Sequence, residues 1–352
     1  MTQRTSATPV TLEQDAPLEE VAAGIFRLNL PVPFKGLRQI NLWLLRDGDD
    51  WLMIDCGWGD DASRAAIKAS WDALPGGGAV TRLLITHFHP DHVGNSRWIA
   101  EHWGLVPLMS DSEWSAARQS AALEGPDSVA KQSAYFLRHG LSEADAARYR
   151  TEFLAFDQGV VLPDVVETIA EGDTLSVGGT DWTVITGGGH SPEMVTLHAT
   201  QRGVFIAGDQ LLPKISSNVS IGYWNHDSEP LREYLASLAR MRDLLVHNDL
   251  VLPSHGEPFN TGAARAAALI GHHDERLDQM AHALEVGRPM TIADFMPVLF
   301  SRSLDGTQIG FAMGEVAAHL NHLIRQGRAV FTTLADGSPV YVSALTPPGP
   351  DN

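Results

Sequence analysis

Cysteine is almost absent from the 352-residue chain. Cys56 stands alone, so no internal disulfide can form and the disulfide-stapled secreted class is excluded. Basic residues are also scarce: 25 lysines and arginines face 43 aspartates and glutamates, a net charge of −18 with histidine neutral. A surface that acidic repels phosphate backbones and anionic lipid. No run approaches about 18 uninterrupted apolar residues, the least that spans a bilayer. The opening stretch, MTQRTSATPVTLEQD, lacks the apolar segment of a signal peptide. These absences predict a soluble, cytoplasmic protein with no membrane partner. Core material is ample, at 44% hydrophobic residues, and the length suits two domains.

Residues 1–21 read as a loose tail. Strand-like runs follow at 24–30, 40–45 and 51–54, and Asp47-Gly48-Asp49-Asp50 marks a hairpin turn between the last two. Helical spacing over 62–74 stops at Pro75-Gly76-Gly77-Gly78, and a buried strand over 82–85 precedes a short helix over 95–102. Residues 111–156 read as two or three inserted helices, with Trp114, Tyr135 and Phe136 available either to cover a site as a lid or to pack internally or between two copies. Strands return at 183–186, 196–198, 204–207 and 250–252, with a helix over 230–245. The alternation predicts an α/β class, sheets covered by helices, for a catalytic domain over 22–259. Residues 260–352 then give helices over 263–286, 292–300 and 313–325 and a hairpin from 329–333 and 340–343, a winged-helix-like α+β order.

Fifteen histidines are more than a core needs. The densest segment is Thr86-His87-Phe88-His89-Pro90-Asp91-His92, directly after a strand. No single helical face holds these side chains, but a turn leaving a strand can fold them around a point, and imidazole nitrogens with carboxylate oxygens suit a borderline cation such as Zn²⁺. His190, Asp209 and His255 each follow a strand, through Gly187-Gly188-Gly189, Gly208 and Pro253-Ser254. The glycines before His190 would let the backbone approach a metal closely. Taken singly each is more often a helix cap, a turn former or a satisfied surface residue. Together they follow strand ends, and strand-end loops converge on one rim of such a sandwich.

The chain resembles the metallo-β-lactamase-fold hydrolase superfamily through His87-x-His89-x-Asp91-His92, Gly189-His190-Ser191-Pro192, Gly208-Asp209 and Ser254-His255-Gly256, over roughly residues 22–258. The resemblance implies an αββα sandwich with a two-metal site on its edge. It implies His87, His89 and His190 as ligands of one ion, Asp91, His92 and His255 of the other, and Asp209 as the carboxylate bridging both. It places Asp55 behind the ligands as their support. Cys56 lies in the wrong block for the subclass that uses a cysteine ligand. The 46 positions from Asp209 to His255 leave no room for the extra domain of the polynucleotide-processing branch. The nearest subgroup is similar to single-chain hydrolases with a C-terminal winged-helix-like domain, variously glyoxalase II-like, β-lactamase-like or endoribonuclease-like.

Two such ions lower the pKa of water to near 7, so a metal-bridging hydroxide would attack a carbonyl or phosphoryl group, with Asp91 and Asp209 as the expected catalytic carboxylates and Asp209 orienting the hydroxide. No G-x-S-x-G elbow, H-E-x-x-H helix or phosphate-cradling loop offers another chemistry. Asn218, Tyr223 and His226, in the loop after the bridging aspartate, are the candidates for substrate contact. The remaining nine histidines read as structural or solvated. The expected function is a dinuclear hydrolase of a small-molecule ester, thioester or lactone, with two divalent ions, Zn²⁺ first and iron or manganese admitted by the same donors. The alternatives are an endoribonuclease-like phosphodiesterase and a metal-binding regulator without turnover. Residues 260–352 hold six arginines, no lysine and nine acids, so nucleic acid is an unfavoured partner. That tail is expected to pack on the catalytic domain or to join a homodimer.

Overall fold

The computed structural model describes residues 18–34, 37–123, 125–155, 159–245, 249–285 and 288–344. A seven-stranded sheet runs in chain order through β1 (Leu18–Ala22), β2 (Ile25–Pro31), β3 (Gln39–Asp47), β4 (Asp50–Ile54), β5 (Val80–Leu84), β6 (Leu108–Met109) and β7 (Glu167–Thr168). A second sheet has the order β12-β11-β10-β9-β8, from β8 (Thr174–Val177), β9 (Thr180–Gly187), β10 (Met194–Ala199), β11 (Val204–Gly208) and β12 (Leu250–Pro253). The β3–β4 register closes on Asp47 opposite Asp50, the hairpin expected there.

Period-two alternation builds the layers. In β3 and β4, Trp43, Leu45, Leu52 and Ile54 face the second sheet, where they meet Trp182, Val184, Leu197 and Ile206. Ile40, Leu42, Leu44, Trp51 and Met53 face the other way and pack with Ile67 of α1 (Asp61–Asp72) and Ile99 of α3 (Ser96–Trp103). On the far side of the second sheet, Ile185, Phe205 and Val251 pack with Leu231, Tyr234 and Leu238 of α7 (Pro230–Leu244) and Leu269 of α8 (Gly262–Glu285). The layers are therefore helix, sheet, sheet, helix, the αββα sandwich expected.

The insertion holds three helices, α4 (Asp111–Ala122), α5 (Pro126–Arg138) and α6 (Glu143–Leu154), following the short α2 (Pro90–Val93) and α3. The C-terminal part continues with α9 (Ile292–Leu299), α10 (Gly306–Arg325) and a hairpin of β13 (Ala329–Thr333) and β14 (Pro339–Ser343). Val129, Phe136 and Tyr149 of the insertion share one core with Phe295, Met313 and Leu320 of the C-terminal helices and with the outer face of the second sheet. Helices α5 and α6 are thus packed into this shared core.

Several expectations are corrected. Strand β1 occupies the end of the stretch read as a loose tail, pairing with β2 from Leu18 onward; residues 1–17 lie outside the described residues. Strands β6 and β7 are two residues each, too short to leave a pattern. Helix α10 begins at Gly306 rather than 313, because Asp305 and Gln308 form a reciprocal capping box that starts it earlier. Among the described residues no helix is long and apolar enough to cross a membrane.

All nine tryptophans precede residue 260, so their fluorescence reports the sandwich and not the C-terminal helices. Phe295→Ala, at a fully buried α9 position, is expected to cost about 3–5 kcal/mol. Because the core is shared, tryptophan emission and far-UV dichroism should shift together in denaturant; an unmoved tryptophan transition would refute the shared core.

Candidate metal centre

The cluster is assembled from strand ends at one rim. Ile54 and Leu84 are parallel neighbours, so Asp55 and Thr86 emerge side by side. Asp55 adopts φ +62°, a left-handed conformation that aspartate tolerates better than most residues. Its carboxylate accepts the Thr86 N–H at 2.8 Å, the Thr86 hydroxyl at 2.9 Å and the His92 Nδ1–H at 2.8 Å. Having given its proton to Asp55, the Thr86 hydroxyl accepts from His87 Nδ1 at 3.1 Å. His190 Nδ1 donates to the Asn218 carbonyl and His255 Nδ1 to the Gln39 carbonyl, each at 2.7 Å. In these four histidines the outer nitrogen is occupied, which leaves Nε2 facing inward.

The two sheets are pinned together at the same rim. The Val195 N–H donates to the Thr86 carbonyl at 2.9 Å. The buried Asn41 amide donates to the carbonyls of Pro253 and Gly256, on either side of His255.

His87 Nε2 lies 3.0 Å from His89 Nδ1 and 3.3 Å from His190 Nε2. Three sets, His87 with His89 and His190, His87 with His92 and Asp209, and Asp91 with His92 and His255, each offer donor atoms within 4.8 Å of one another. Asp209 stands between the first and last of these. Its Oδ2 is 3.4 Å from His190 Nε2, while Oδ1 is 3.4 Å from His255 Nε2 and 3.7 Å from His92 Nε2. Asp91 Oδ2 is 3.3 Å from His255 Nε2. All seven side chains expected from the sequence are therefore brought together.

Electrostatics divides the cluster. Burial, with the imidazoles of His92, His89 and His190 beside it, holds His87 well below the ordinary histidine value. Burial and His190 take His89 down to about 3. Burial also opposes charge on His92, but Asp55, Asp91 and Asp209 together outweigh it and raise that group well above 6.5. Asp209 and Asp91 push His255 up to about 10 in the same way. Despite burial, His255 and His92 hold Asp209 well below the carboxylate range. Positive charge is thus in demand here, yet His92 Nε2, His255 Nε2 and Asp209 Oδ1 are buried without a hydrogen-bond partner. Nitrogen and carboxylate donors converging in this way fit divalent metal ions.

The substrate candidates stand differently. Asn218 meets the cluster through its backbone carbonyl on His190. The Tyr223 hydroxyl pairs with Ser128 Oγ at 3.2 Å, and its N–H donates to Gln132, so α5 holds it. His226 is exposed, beside Asp227, with its carbonyl accepting from Asn321. No hydrogen bond or ion pair among the described residues joins Tyr223 or His226 to the seven. The glycine expectation is also corrected: Gly189, at φ +103°, approaches α7 rather than a metal, for a Cβ there would lie 2.5 Å from Pro230 O and Tyr234 N. Sequence reasoning missed Ser217, whose hydroxyl donates to the Asp209 carbonyl and takes a 3.3 Å bond from Tyr234. It also missed the carbonyls of Gln39 and Asn218, which no side-chain pattern signals. Thr86 was legible only as the residue before His87.

Fold and cluster define an αββα protein with a histidine–carboxylate centre suited to divalent cations. The Metallo-beta-lactamase superfamily matches residues 36–255, and the chain belongs to that superfamily. A second family, Metallo-beta-lactamase-like, C-terminal domain, matches residues 277–344. A beta-lactamase domain protein from Burkholderia ambifaria is similar in structure, with TM-score 0.85 and 37% identity, covering 95% of this chain and 96% of that one. The chain is also similar to the probable metallo-hydrolase YqjP of Bacillus subtilis, 22% identical over 91% of this chain and 98% of the relative. The acyl-coenzyme A thioesterase MBLAC2 of Gallus gallus is 27% identical over 66% of this chain and 77% of its own length.

Asp55→Ala would leave the Thr86 and His92 donors buried and unpaired. A loss of about 3 kcal/mol in the metal-free protein is expected by denaturant titration. A loss below about 0.5 kcal/mol would contradict the support assigned to Asp55.

Proposed function

We propose that the protein is a dinuclear metal-dependent hydrolase of a small-molecule ester, thioester or lactone, with zinc as its metal. His87, His89 and His190 would hold one cation, Asp91, His92 and His255 the other, and Asp209 would bridge them. The observation that carries this reading is the position of Asp209, whose two oxygens face histidines of the two sets separately. Bound there, the cations would supply Lewis acidity and a water acidic enough to act as nucleophile near pH 7.

The chain's own residues do the rest. Asp55 and the carbonyls of Gln39 and Asn218 fix which nitrogen each imidazole presents. Ser217, bonded to the Asp209 carbonyl and to Tyr234, holds the backbone from which the bridging carboxylate projects. The buried acids bonded to the site's loops are occupied: Asp55 by Thr86 and His92, and Glu113 by two backbone amides. Neither is free to protonate a leaving group. A thiolate needs little protonation, whereas an alkoxide or amine needs an acid, and the similarity to a protein named as an acyl-coenzyme A thioesterase points the same way. We therefore rank thioesters first. The winged-helix-like tail, with its net acidic charge, serves packing in this reading and not nucleic-acid binding.

Two outcomes test it. Metal-free protein titrated with Zn²⁺ should take up two ions per chain, and Asp209→Ala fewer than two; full occupancy in that variant shows that Asp209 is not the bridge. A panel of thioesters, lactones, β-lactams and single-stranded RNA should give thioester turnover, lost in His87→Ala, whereas RNA cleavage alone overturns the ranking. Loading should also release protons. The neighbouring aspartates raise His92 and take His255 up to about 10, favouring the protonated forms that coordination to a metal must displace. Apparent affinity then rises with pH, and calorimetric heats differ between buffers of different ionisation enthalpy; heats that do not depend on buffer contradict the assignment of these two ligands.

A further inference from the structure

The first turn of α4 departs from its own sequence pattern. Ser110-Asp111-Ser112-Glu113 is an S-x-x-E capping box, in which the glutamate ordinarily returns to the N–H of the capping serine. Two boxes among the described residues close in this reciprocal way, Thr291 with Asp294 and Asp305 with Gln308, whereas Ser142 at α6 accepts the Asp145 N–H and donates its hydroxyl to that carboxylate. At α4 only the serine half forms: Ser110 Oγ accepts the Glu113 N–H at 3.3 Å. The Glu113 carboxylate reaches outward instead. Oε2 accepts the Phe88 N–H at 3.0 Å and Oε1 the Glu193 N–H at 2.7 Å. The Ser110 hydroxyl adds a bond of 2.9 Å to the Glu193 carbonyl, so both ends of that residue are gripped. Glu113 and Ser110 are buried, at 0% and 1% exposure.

The two amides bound by one carboxylate lie on the two loops that carry the first histidine set, the earlier of which continues into Asp91 and His92 of the second. Phe88 sits between His87 and His89, and Glu193 lies just beyond His190. A carboxylate places its two oxygens at a fixed separation, so a single side chain sets the distance between the loops. The second set is held by other groups, His92 by Asp55 and His255 by the Gln39 carbonyl.

We infer that Glu113, seated by Ser110, is a positioning residue that sets the spacing of His87 and His89 against His190, so that the inserted helix α4 tunes one cation position and not the other. The inference rests on the reading of the seven side chains as a two-metal centre. Glutamine at position 113 keeps the shape but offers one acceptor, and its NH₂ faces an amide N–H. Aspartate is one methylene too short to span both loops.

The test uses the full chain in two backgrounds, each with one set disabled: His255→Ala, which leaves the first set, and His190→Ala, which leaves the second. Zn²⁺ affinity is measured by competition with a chromophoric chelator, and folding is checked by far-UV dichroism. Adding Glu113→Gln should weaken binding about 10–100-fold in the His255→Ala background and less than about 2-fold in the His190→Ala background, since the second set has other supports. Equal losses in both backgrounds mean a general structural role, and no loss in either means no role; both overturn the inference. If Glu113→Gln fails to fold, Ser110→Ala takes its place, with a smaller loss expected in the His255→Ala background alone and the same two outcomes overturning it. Failure of the centre itself reads differently, as absence of Zn²⁺ binding in the unmutated protein.

Discussion

Five imidazoles and two carboxylates crowd one rim of the sandwich, and the remainder of the fold is arranged around holding them there. Such a gathering is costly unless its charges balance. Asp209 and Asp91 favour the charged forms of His92 and His255, while burial disfavours charge on His87 and His89. The field that attracts protons to this point attracts cations equally, which is why the donor set suits divalent metals. Asp209 is the hinge of the arrangement, because it faces both histidine sets at once.

That placement depends on the sheets more than on the loops. Parallel pairing of β4 with β5 sets Asp55 beside Thr86, and parallel pairing of β11 with β12 sets Gly208, which precedes Asp209, beside Pro253, two residues before His255. The core between the sheets, built around Trp43 and Trp182, holds these strand ends in register. The insertion and the C-terminal helices complete the outer face of the second sheet through Phe136, Phe295 and Met313. In the proposed reading they stiffen the chemistry from behind.

Much of this was legible in the sequence because the chemistry is concentrated. A strand running into His87-x-His89-x-Asp91-His92 states its purpose in six residues, and the strand-end positions of His190, Asp209 and His255 follow from short apolar runs. The remainder was hidden for physical reasons. Gln39 and Asn218 act through carbonyls that every residue possesses. Glu113 sits in an ordinary helix-start pattern, and only its rotamer reveals that it serves distant amides. Gly189 signalled a close approach, but the sequence did not say to what, and the answer is helix α7. Strands β6 and β7 are too short for any periodicity, and β1 precedes the strongly apolar run on which the sandwich begins.

The most direct test of the account is the anomalous scattering of a crystal grown with Zn²⁺. It should give two peaks, one among His87, His89 and His190 and one among Asp91, His92 and His255, with the Asp209 carboxylate between them. A single peak, or peaks elsewhere on the molecule, would contradict it.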